Sequence, residues 1–133
     1  MRILGIDPGT ATTGWAILEQ NKKELTPIAY GHISTSPKDS TCQRLREVSQ
    51  DIEEIIKKYK PTESAIEDLF FFKNLKTAMK VSQSRGAIML TLIKADLKVF
   101  EYTPLQVKQA VTGYGRADKK QVQQMVKNIL KLR

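Results

Sequence analysis

The stretch LGIDPGT at residues 4–10 constrains the fold more than any other part of the sequence. Residues 1–6 form a short apolar run, which is typical of a strand buried on both faces. The run leads directly into Asp7 and a Pro-Gly turn, because Pro8 biases Asp7 toward extended backbone and Gly9 tolerates positive φ. The sequence therefore predicts one carboxylate held rigidly at a strand end, where it is well placed to bind a metal ion. The alternative interpretation is that Asp7 only starts the turn.

Two further strands follow the turn. Gly14–Leu18 returns as a partner of the first strand, and Leu25–Ser34 predicts a third strand with Gly31 as a candidate bulge. The connections are too short for crossovers, so we expect a three-stranded antiparallel meander.

The rest of the chain alternates helices and strands. Apolar spacing predicts the following elements: a helix at Thr41–Tyr59, a strand at Ser64–Leu69, a long helix from an Asn74 cap to about Asp96, a strand at Val99–Tyr102, a helix at Leu105–Val111 with Pro104 in its first turn, and a last helix from an Asp118 cap to Leu130. Gly86 inside the long helix suggests close packing against another element. The order predicts an α/β layered fold with a five-stranded mixed sheet flanked by helices.

The length and the net charge of the chain limit its possible functions. The 133 residues predict a single domain covering 1–133. With 22 Lys and Arg against 14 Asp and Glu, the net charge of +8 favours polyanionic partners, among which nucleic acid is the commonest. The alternative is a basic protein without such a partner.

Several classes of protein are disfavoured by composition. No run approaches the roughly 18 apolar residues of a membrane span, and the first residues do not follow a signal-peptide pattern. A lone Cys42 excludes an internal disulfide and a cysteine metal cluster, while a lone His32, predicted to be structural, excludes a histidine-rich zinc site. We therefore expect a cytoplasmic protein with no membrane partner.

A second acid is predicted to meet Asp7. Glu67 lies toward the end of the fourth strand, between apolar residues, and a mixed sheet could place strands one and four side by side and parallel. The two carboxylates would then project from one edge, where Mg²⁺ prefers oxygen ligands and two ions can act on a phosphodiester. Asp68 should point to the opposite face and is a secondary candidate.

Aromatic and basic residues near this edge suggest a nucleic-acid surface. Residues 70–72 are three consecutive phenylalanines, and a ring exposed beside lysines can stack on an unpaired base, although core packing would account for most of them. The cations predicted to contact phosphates are Lys73, Lys76, Lys80, Lys108, Arg116, Lys119 and Lys120, although scattered lysines are usually solvated. Gly113 and Gly115 would allow close backbone approach to a phosphate.

These blocks together resemble the RuvC-type Holliday junction resolvases. The opening Gly5–Gly9 with Thr13-Gly14 is similar to the family's first block. The second and third blocks are carried by AIED at 65–68, Phe70, Lys73-Asn74, QSRG at 83–86, FEY at 100–102, VKQ at 107–109, GYG at 113–115 and KKQV at 119–122. Each block is weakly specific, but the ordered set covers essentially the whole chain.

The resemblance implies a ribonuclease-H-like fold and a homodimeric, Mg²⁺-dependent endonuclease that nicks four-way DNA junctions in symmetric pairs. It implies two Mg²⁺ ions, with Mn²⁺ as a substitute, a metal-activated water as the nucleophile, and a branch-migration helicase complex as a partner. By position, Asp7 and Glu67 match metal-binding acids, and Lys108 and Lys119 match catalytic cations. Phe70 matches an aromatic that contacts the unpaired centre of the junction. The other residues predicted to bind DNA are Lys73, Asn74, Lys76, Lys80, Arg85, Arg116 and Lys120. The helix from Asn74 would form much of the dimer interface.

One departure from the family pattern concerns the metal site. The family completes its site with an Asp-x-x-Asp type pair on a further C-terminal helix, and residues 130–133, LKLR, precede any such pair. We therefore expect the C-terminal catalytic helix to be absent, with DNA binding and dimerisation retained better than cleavage. A non-catalytic junction-binding or nucleic-acid-binding module on the same fold is the alternative.

Two other classes are less favoured. Asp7-x-Gly9-Thr10 also resembles the first phosphate loop of actin-like and sugar-kinase ATPases, which need two such domains and a second glycine-rich loop. The pre-ribosomal RNA nucleases are related, but the blocks at 70–74 and 108–119 argue against them.

Overall fold

The computed structural model describes residues 1–9, 11–68 and 74–132. Within these ranges the chain forms five strands and four helices. They are β1 (Arg2–Asp7), β2 (Thr12–Asn21), β3 (Glu24–Ser34), α1 (Thr41–Tyr59), β4 (Glu63–Glu67), α2 (Leu75–Lys94), β5 (Lys98–Tyr102), α3 (Pro104–Thr112) and α4 (Lys119–Leu130). Among the described residues, every predicted helix and strand is present, with ends shifted by a few residues. The predicted end of the fourth strand at Leu69 lies outside the described residues.

The strands form one mixed sheet in the order β3-β2-β1-β4-β5. β1 pairs antiparallel with β2, and β2 with β3, which confirms the meander. β1 and β4 are parallel neighbours, as are β4 and β5, because α1 and α2 provide the long connections that parallel pairing requires. The carboxyl ends of β1, β4 and β5 therefore meet at one edge of the sheet.

One face of the sheet carries the hydrophobic core beneath α1 and α2. Leu4, Ile17 and Ile66 point into this core from three strands and are at most 1% exposed. Ile52 of α1 and Leu92 of α2 meet them with no exposed surface. Because side chains alternate along a strand, this packing fixes which residues of β1 and β4 point to the opposite face.

The opposite face has a centre of small side chains. Gly5 of β1 pairs with Ala16 on β2 and with Ala65 on β4. The same row continues to Tyr30 on β3 and Phe100 on β5, which are 68% and 44% exposed. The three small residues in the middle of this row therefore form a shallow depression between the side chains of Tyr30 and Phe100.

Two glycines behave differently from the prediction. The register irregularity between β2 and β3 lies at Ile17/Leu18, so the bulge predicted at Gly31 is wrong. Gly31 instead pairs with Trp15, and a Cβ there would lie 3.4 Å from the Trp15 ring. Gly86 is also not closely packed within this chain, since nothing lies within 4 Å of the position of its missing Cβ.

The helix starts follow local capping chemistry. Asn74 caps α2 by accepting a hydrogen bond from the Lys76 backbone N–H, and Asp118 forms a capping box at the start of α4, as the sequence predicts. Pro104 occupies the first turn of α3. In the described part of the chain, no helix combines the length and apolar character needed to cross a membrane.

Candidate active site

Asp7 and Glu67 meet at the carboxyl ends of two parallel strands. Asp7 is the last residue of β1 and Glu67 is the last residue of β4. The pairing of Ile6 with Ile66 brings the following residues into the same register, on strands about 4.8 Å apart. Both side chains point away from the core and share a hydrogen bond, so the predicted meeting of the two acids is found.

The pair has an unusual proton affinity. Burial of Glu67, and then its hydrogen bond with Asp7 and the charge of Asp7, raise the pKa of Glu67 from 4.5 to about 7. When protonated, Glu67 can donate the hydrogen bond that it shares with Asp7. Because burial and a neighbouring acid disfavour ionisation of Glu67, a cation bound beside it would stabilise the ionised form in place of the proton.

Lys108 of α3 lies close enough to act on this pair. Its positive charge opposes the other effects and lowers the pKa of Glu67. Its side chain is half-buried, and the Lys108 carbonyl accepts a hydrogen bond of 2.7 Å from the Thr112 hydroxyl. The structure therefore brings the charge of Lys108 within range of Glu67.

The turn after β1 has tight steric requirements. A Cβ on Gly9 would lie 2.0 Å from the Thr12 carbonyl oxygen, so the path from β1 to β2 demands glycine there. Gly14 pairs with Asp7 across the β1–β2 ladder, and its lack of a side chain leaves one flank of Asp7 open. Gly9 and Gly14 are thus both part of the local geometry around Asp7.

The acids border an open groove of about 520 Å³ on the face opposite the core. Its floor includes Gly5, Ala16 and Ala65, and its other walls include Val107 of α3 and Val126 of α4. Small floor residues keep the groove accessible, so a ligand can approach the two carboxylates.

Two residues near the acids were not predicted from the sequence. Tyr102 pairs with Glu67 on β5 and lines the same groove, while the exposed His32 on β3 pairs with Gly14, the partner of Asp7. Both belong to the cross-strand row that contains the acids. Only the pairing register reveals them, because neither residue lies near Asp7 or Glu67 in the sequence.

The remaining predicted cations of the third block surround the α3–α4 connection. Lys119 and Lys120 begin α4, and Arg116 precedes it, and all three side chains are exposed. The connection is ordered by Gly113 at φ 76° and by the Thr112 hydroxyl, which donates to the Tyr114 carbonyl oxygen at 2.9 Å. The exposed cations are free of the core, and their DNA contacts stay predictions.

The second block is only partly described. Phe70 and Lys73 lie outside the described residues. Asn74, Lys76 and Lys80 are exposed at the start of α2, where a phosphate could reach them. Their proposed contacts with DNA also stay predictions.

Arg85 is directed inward. Its side chain is 13% exposed, and its guanidinium contacts the Glu67 carbonyl oxygen and the carboxylates of Asp68 and Glu101. These contacts are all within the fold, and the predicted DNA contact of Arg85 stays a prediction.

The described residues contain no group of three or more His, Cys, Asp and Glu side chains able to hold a metal ion. Asp7 and Glu67 therefore provide a two-carboxylate arrangement. Hard carboxylate oxygens in direct contact match the ligands that Mg²⁺ and Mn²⁺ accept, usually together with water and phosphate oxygens. The pair fits such an ion but supplies only part of its coordination.

The amino-acid sequence matches the model of a known protein family over residues 3–133, and that family is described as "Crossover junction endodeoxyribonuclease RuvC". A curated relative with this name from Finegoldia magna is 52% identical over 131 residues, covering 98% of this chain and 80% of the relative. Another from Caldicellulosiruptor saccharolyticus is 52% identical over 133 residues, covering 99% of this chain and 80% of the relative.

Solved structures agree with the sequence relationship. RuvC from Thermus thermophilus is 30% identical with a TM-score of 0.89, covering 100% of this chain and 82% of that protein. A T. thermophilus RuvC in complex with Holliday junction substrate is 30% identical with a TM-score of 0.94, covering 100% and 81%. The yeast mitochondrial Holliday junction resolvase Ydc2, 11% identical with a TM-score of 0.67 over 96% of this chain and 64% of that one, shares the fold. The predicted ribonuclease-H-like fold is confirmed.

Proposed function

Because the chain belongs to the RuvC family of crossover junction endodeoxyribonucleases, we propose that it binds four-way DNA junctions and acts on them as a structure-selective nuclease in recombination and repair. The observation that carries this proposal is the contact between Asp7 and Glu67 at two adjoining parallel strand ends, with Lys108 beside them. The Thermus relative in complex with a junction supports the choice of substrate.

Asp7 and Glu67 are the residues that would hold a divalent cation, with Mg²⁺ as the physiological ion, Mn²⁺ as a substitute, and two ions in a complete site. Bound there, such ions would polarise a phosphodiester and lower the pKa of water. The chain's own contribution is to hold the two carboxylates in register and to release the proton of Glu67.

Lys108 would stabilise negative charge that develops on the scissile phosphate, and Lys119 is proposed to assist it from the start of α4. Arg116 and Lys120 would bind the DNA backbone on the same side of the sheet. Such contacts position the nucleic acid without reading its sequence.

An exposed stripe on α2 supports the proposal of a homodimer. Leu75, Met79, Leu90 and Ile93 are 55–73% exposed and recur at helical spacing. Gly86 lies in the same stripe and has open space where a Cβ would be, which would let a second copy approach closely. Two nicks placed symmetrically in a junction require two such sites related by a two-fold axis.

The cellular setting follows from the family. We propose a cytoplasmic location and a branch-migration helicase complex as a partner, since both fit a protein that acts on recombining bacterial chromosomes. A single domain covering 1–133 is consistent with the one core beneath α1 and α2.

We further propose that these 133 residues bind junctions better than they cut them. The arrangement of two acids among the described residues favours this, because two carboxylates supply only part of the charge and coordination of a divalent metal site. The chain covers 80% of the length of the relatives from Finegoldia magna and Caldicellulosiruptor saccharolyticus. A junction-binding module without nuclease activity is the second candidate, favoured by the same observation.

The proposal is tested with a labelled four-way junction and a linear duplex of the same sequence. We expect tighter binding to the junction, and slow cutting that requires Mg²⁺ or Mn²⁺ and is lost in EDTA. Asp7→Asn should abolish cutting and leave junction affinity unchanged. Glu53→Gln, which neutralises an exposed acid on α1, is the matched control and should change neither.

Three results would count against parts of this proposal. Equal affinity for junction and duplex would refute the substrate. Fast Mg²⁺-dependent cutting would refute the statement that binding exceeds cutting. Calorimetry that detects no Mg²⁺ binding, with or without the junction, would favour the non-catalytic module.

A further inference from the structure

We propose that Arg85 is a positioning residue that fixes the carboxylate of Glu67 next to Asp7. Arg85 projects from α2 and reaches the carboxyl ends of β4 and β5. The inference rests on the proposed function, since Glu67 is there a ligand of the divalent cation. It assigns to Arg85 a task distinct from binding DNA.

The guanidinium of Arg85 joins three groups at this edge. Nε donates to the Glu67 carbonyl oxygen at 3.1 Å. The terminal nitrogen Nη2 lies 3.4 Å from Asp68 Oδ1 and donates a short hydrogen bond to Glu101 Oε1. The Arg85 side chain is 13% exposed, whereas the side chains of Asp68 and Glu101 are 43% and 49% exposed, so the guanidinium is held inside the fold and its two carboxylate partners lie at the surface.

At the end of β4 the Arg85 contact adds to the pairing of Glu67 with Tyr102 on β5. The ladder between β1 and β4 extends to the pair Ile6–Ile66, one residue before Glu67. On the other side, the Asp68 N–H donates to the Tyr102 carbonyl oxygen at 2.7 Å. The Arg85 contact holds the Glu67 carbonyl directly, so it limits rotation of the peptide that would swing the Glu67 side chain away from Asp7.

The local charges make a guanidinium better suited than an ammonium. Two carboxylates, those of Asp68 and Glu101, lie within 3.4 Å of the same Arg85 nitrogen at the ends of β4 and β5, and without the guanidinium they would repel each other. Arg85 provides several donors in a fixed plane, which can engage a carbonyl and two carboxylates at once, whereas lysine provides one point charge.

The test uses the 133-residue protein with Arg85→Gln and Arg85→Lys variants. Arg46→Gln is the matched control, because it removes an equal charge from an exposed position on α1. Three quantities are measured: the distance between the Asp7 and Glu67 carboxylates in crystals, the affinity for Mn²⁺ by electron paramagnetic resonance, and the affinity for a four-way junction.

We expect Arg85→Gln to displace the Glu67 carboxylate by about 1 Å or more and to weaken Mn²⁺ binding about tenfold, as removal of groups that orient metal ligands does. Junction affinity should equal that of Arg46→Gln. The Mn²⁺ affinity of Arg85→Lys should be close to that of Arg85→Gln, because lysine keeps the positive charge but lacks the planar set of donors of the guanidinium.

Glu101→Gln provides a second variant in case Arg85→Gln does not fold. It leaves Arg85 in place, weakens one of its contacts, and should shift Glu67 and Mn²⁺ affinity in the same direction by a smaller amount. Unchanged carboxylate geometry in the folded variants would overturn the proposal, as would unchanged Mn²⁺ affinity. A selective loss of junction affinity in Arg85→Gln would instead make Arg85 a DNA contact.

Mn²⁺ binding by the wild-type protein and by Asp7→Asn tests the metal site independently of the role of Arg85. If the wild-type protein binds no Mn²⁺, the proposed metal site fails, and the crystal structures still decide whether Arg85 positions Glu67. If Mn²⁺ binds and Asp7→Asn abolishes that binding, the metal site stands whatever Arg85 does.

Discussion

Replacing Glu67 with glutamine should stabilise the metal-free fold at high pH. In the folded protein the pKa of Glu67 is raised from 4.5 to about 7 by burial and by Asp7. The folded state therefore binds more protons than the unfolded state between these two pH values, and stability falls as pH rises through this window. Above pH 7 the full cost of ionising Glu67 is present, and below pH 4.5 it is absent.

The size of this effect follows from the pKa. A carboxyl group with a pKa of about 7 would cost roughly 3 kcal/mol if fully shielded, and solvent screening of this half-buried group reduces the cost to about 1–2 kcal/mol. Glutamine has the same shape, carries no charge and can still donate a hydrogen bond to Asp7. Glu67→Gln should therefore raise stability by about 1–2 kcal/mol at pH 8 and by close to zero at pH 4.5.

Urea unfolding in EDTA at the two pH values measures the difference directly. Glu53→Gln is the control for loss of a negative charge from this basic protein, and it should show no comparable pH dependence. Added Mg²⁺ should stabilise the wild type at pH 8 and not Glu67→Gln, because a cation that binds only the folded state shifts the equilibrium. An equal effect of Glu67→Gln at both pH values would refute the reasoning.

Three further outcomes follow from the geometry. Gly9→Ala should destabilise the fold by about 2 kcal/mol or more, because its Cβ would meet the Thr12 carbonyl oxygen at 2.0 Å; an unchanged melting temperature would contradict this. Lys108→Met should slow any single-turnover cleavage by about 10²–10³-fold and shift Mg²⁺ binding to higher pH, since Lys108 lowers the pKa of Glu67. Leu90→Asp should convert a dimer to a monomer in sedimentation, with stability changed by less than about 0.5 kcal/mol, and a dimer that persists would exclude the α2 stripe as the interface.

Much of the fold could be predicted because local signals agreed with the global arrangement. The apolar run before Asp7, the helix caps at Asn74 and Asp118, and the helical spacing in α1 each identify an element without tertiary information. The short turns of the meander and the long crossovers then determine which strands run parallel. Asp7 and Glu67 were found as partners by this topological argument.

Residues that act across the sheet could not be predicted in the same way. Tyr102 and His32 join the row of the acids only through the pairing register, and a shift by one residue would turn each to the other face. The prediction of a bulge at Gly31 was wrong because a glycine in a strand can equally make room for a neighbouring ring, here Trp15.

The sequence by itself therefore determined the order of elements, the family, and the two acids at the strand ends. The tertiary structure decided that burial and Asp7 raise the pKa of Glu67, that Lys108 lowers it, and that Arg85 turns inward and donates to the Glu67 carbonyl oxygen. The physical reason is that identity and periodicity are local properties of a chain. The pKa of Glu67 and the partners of Arg85 depend instead on distances of a few ångströms between residues from different elements.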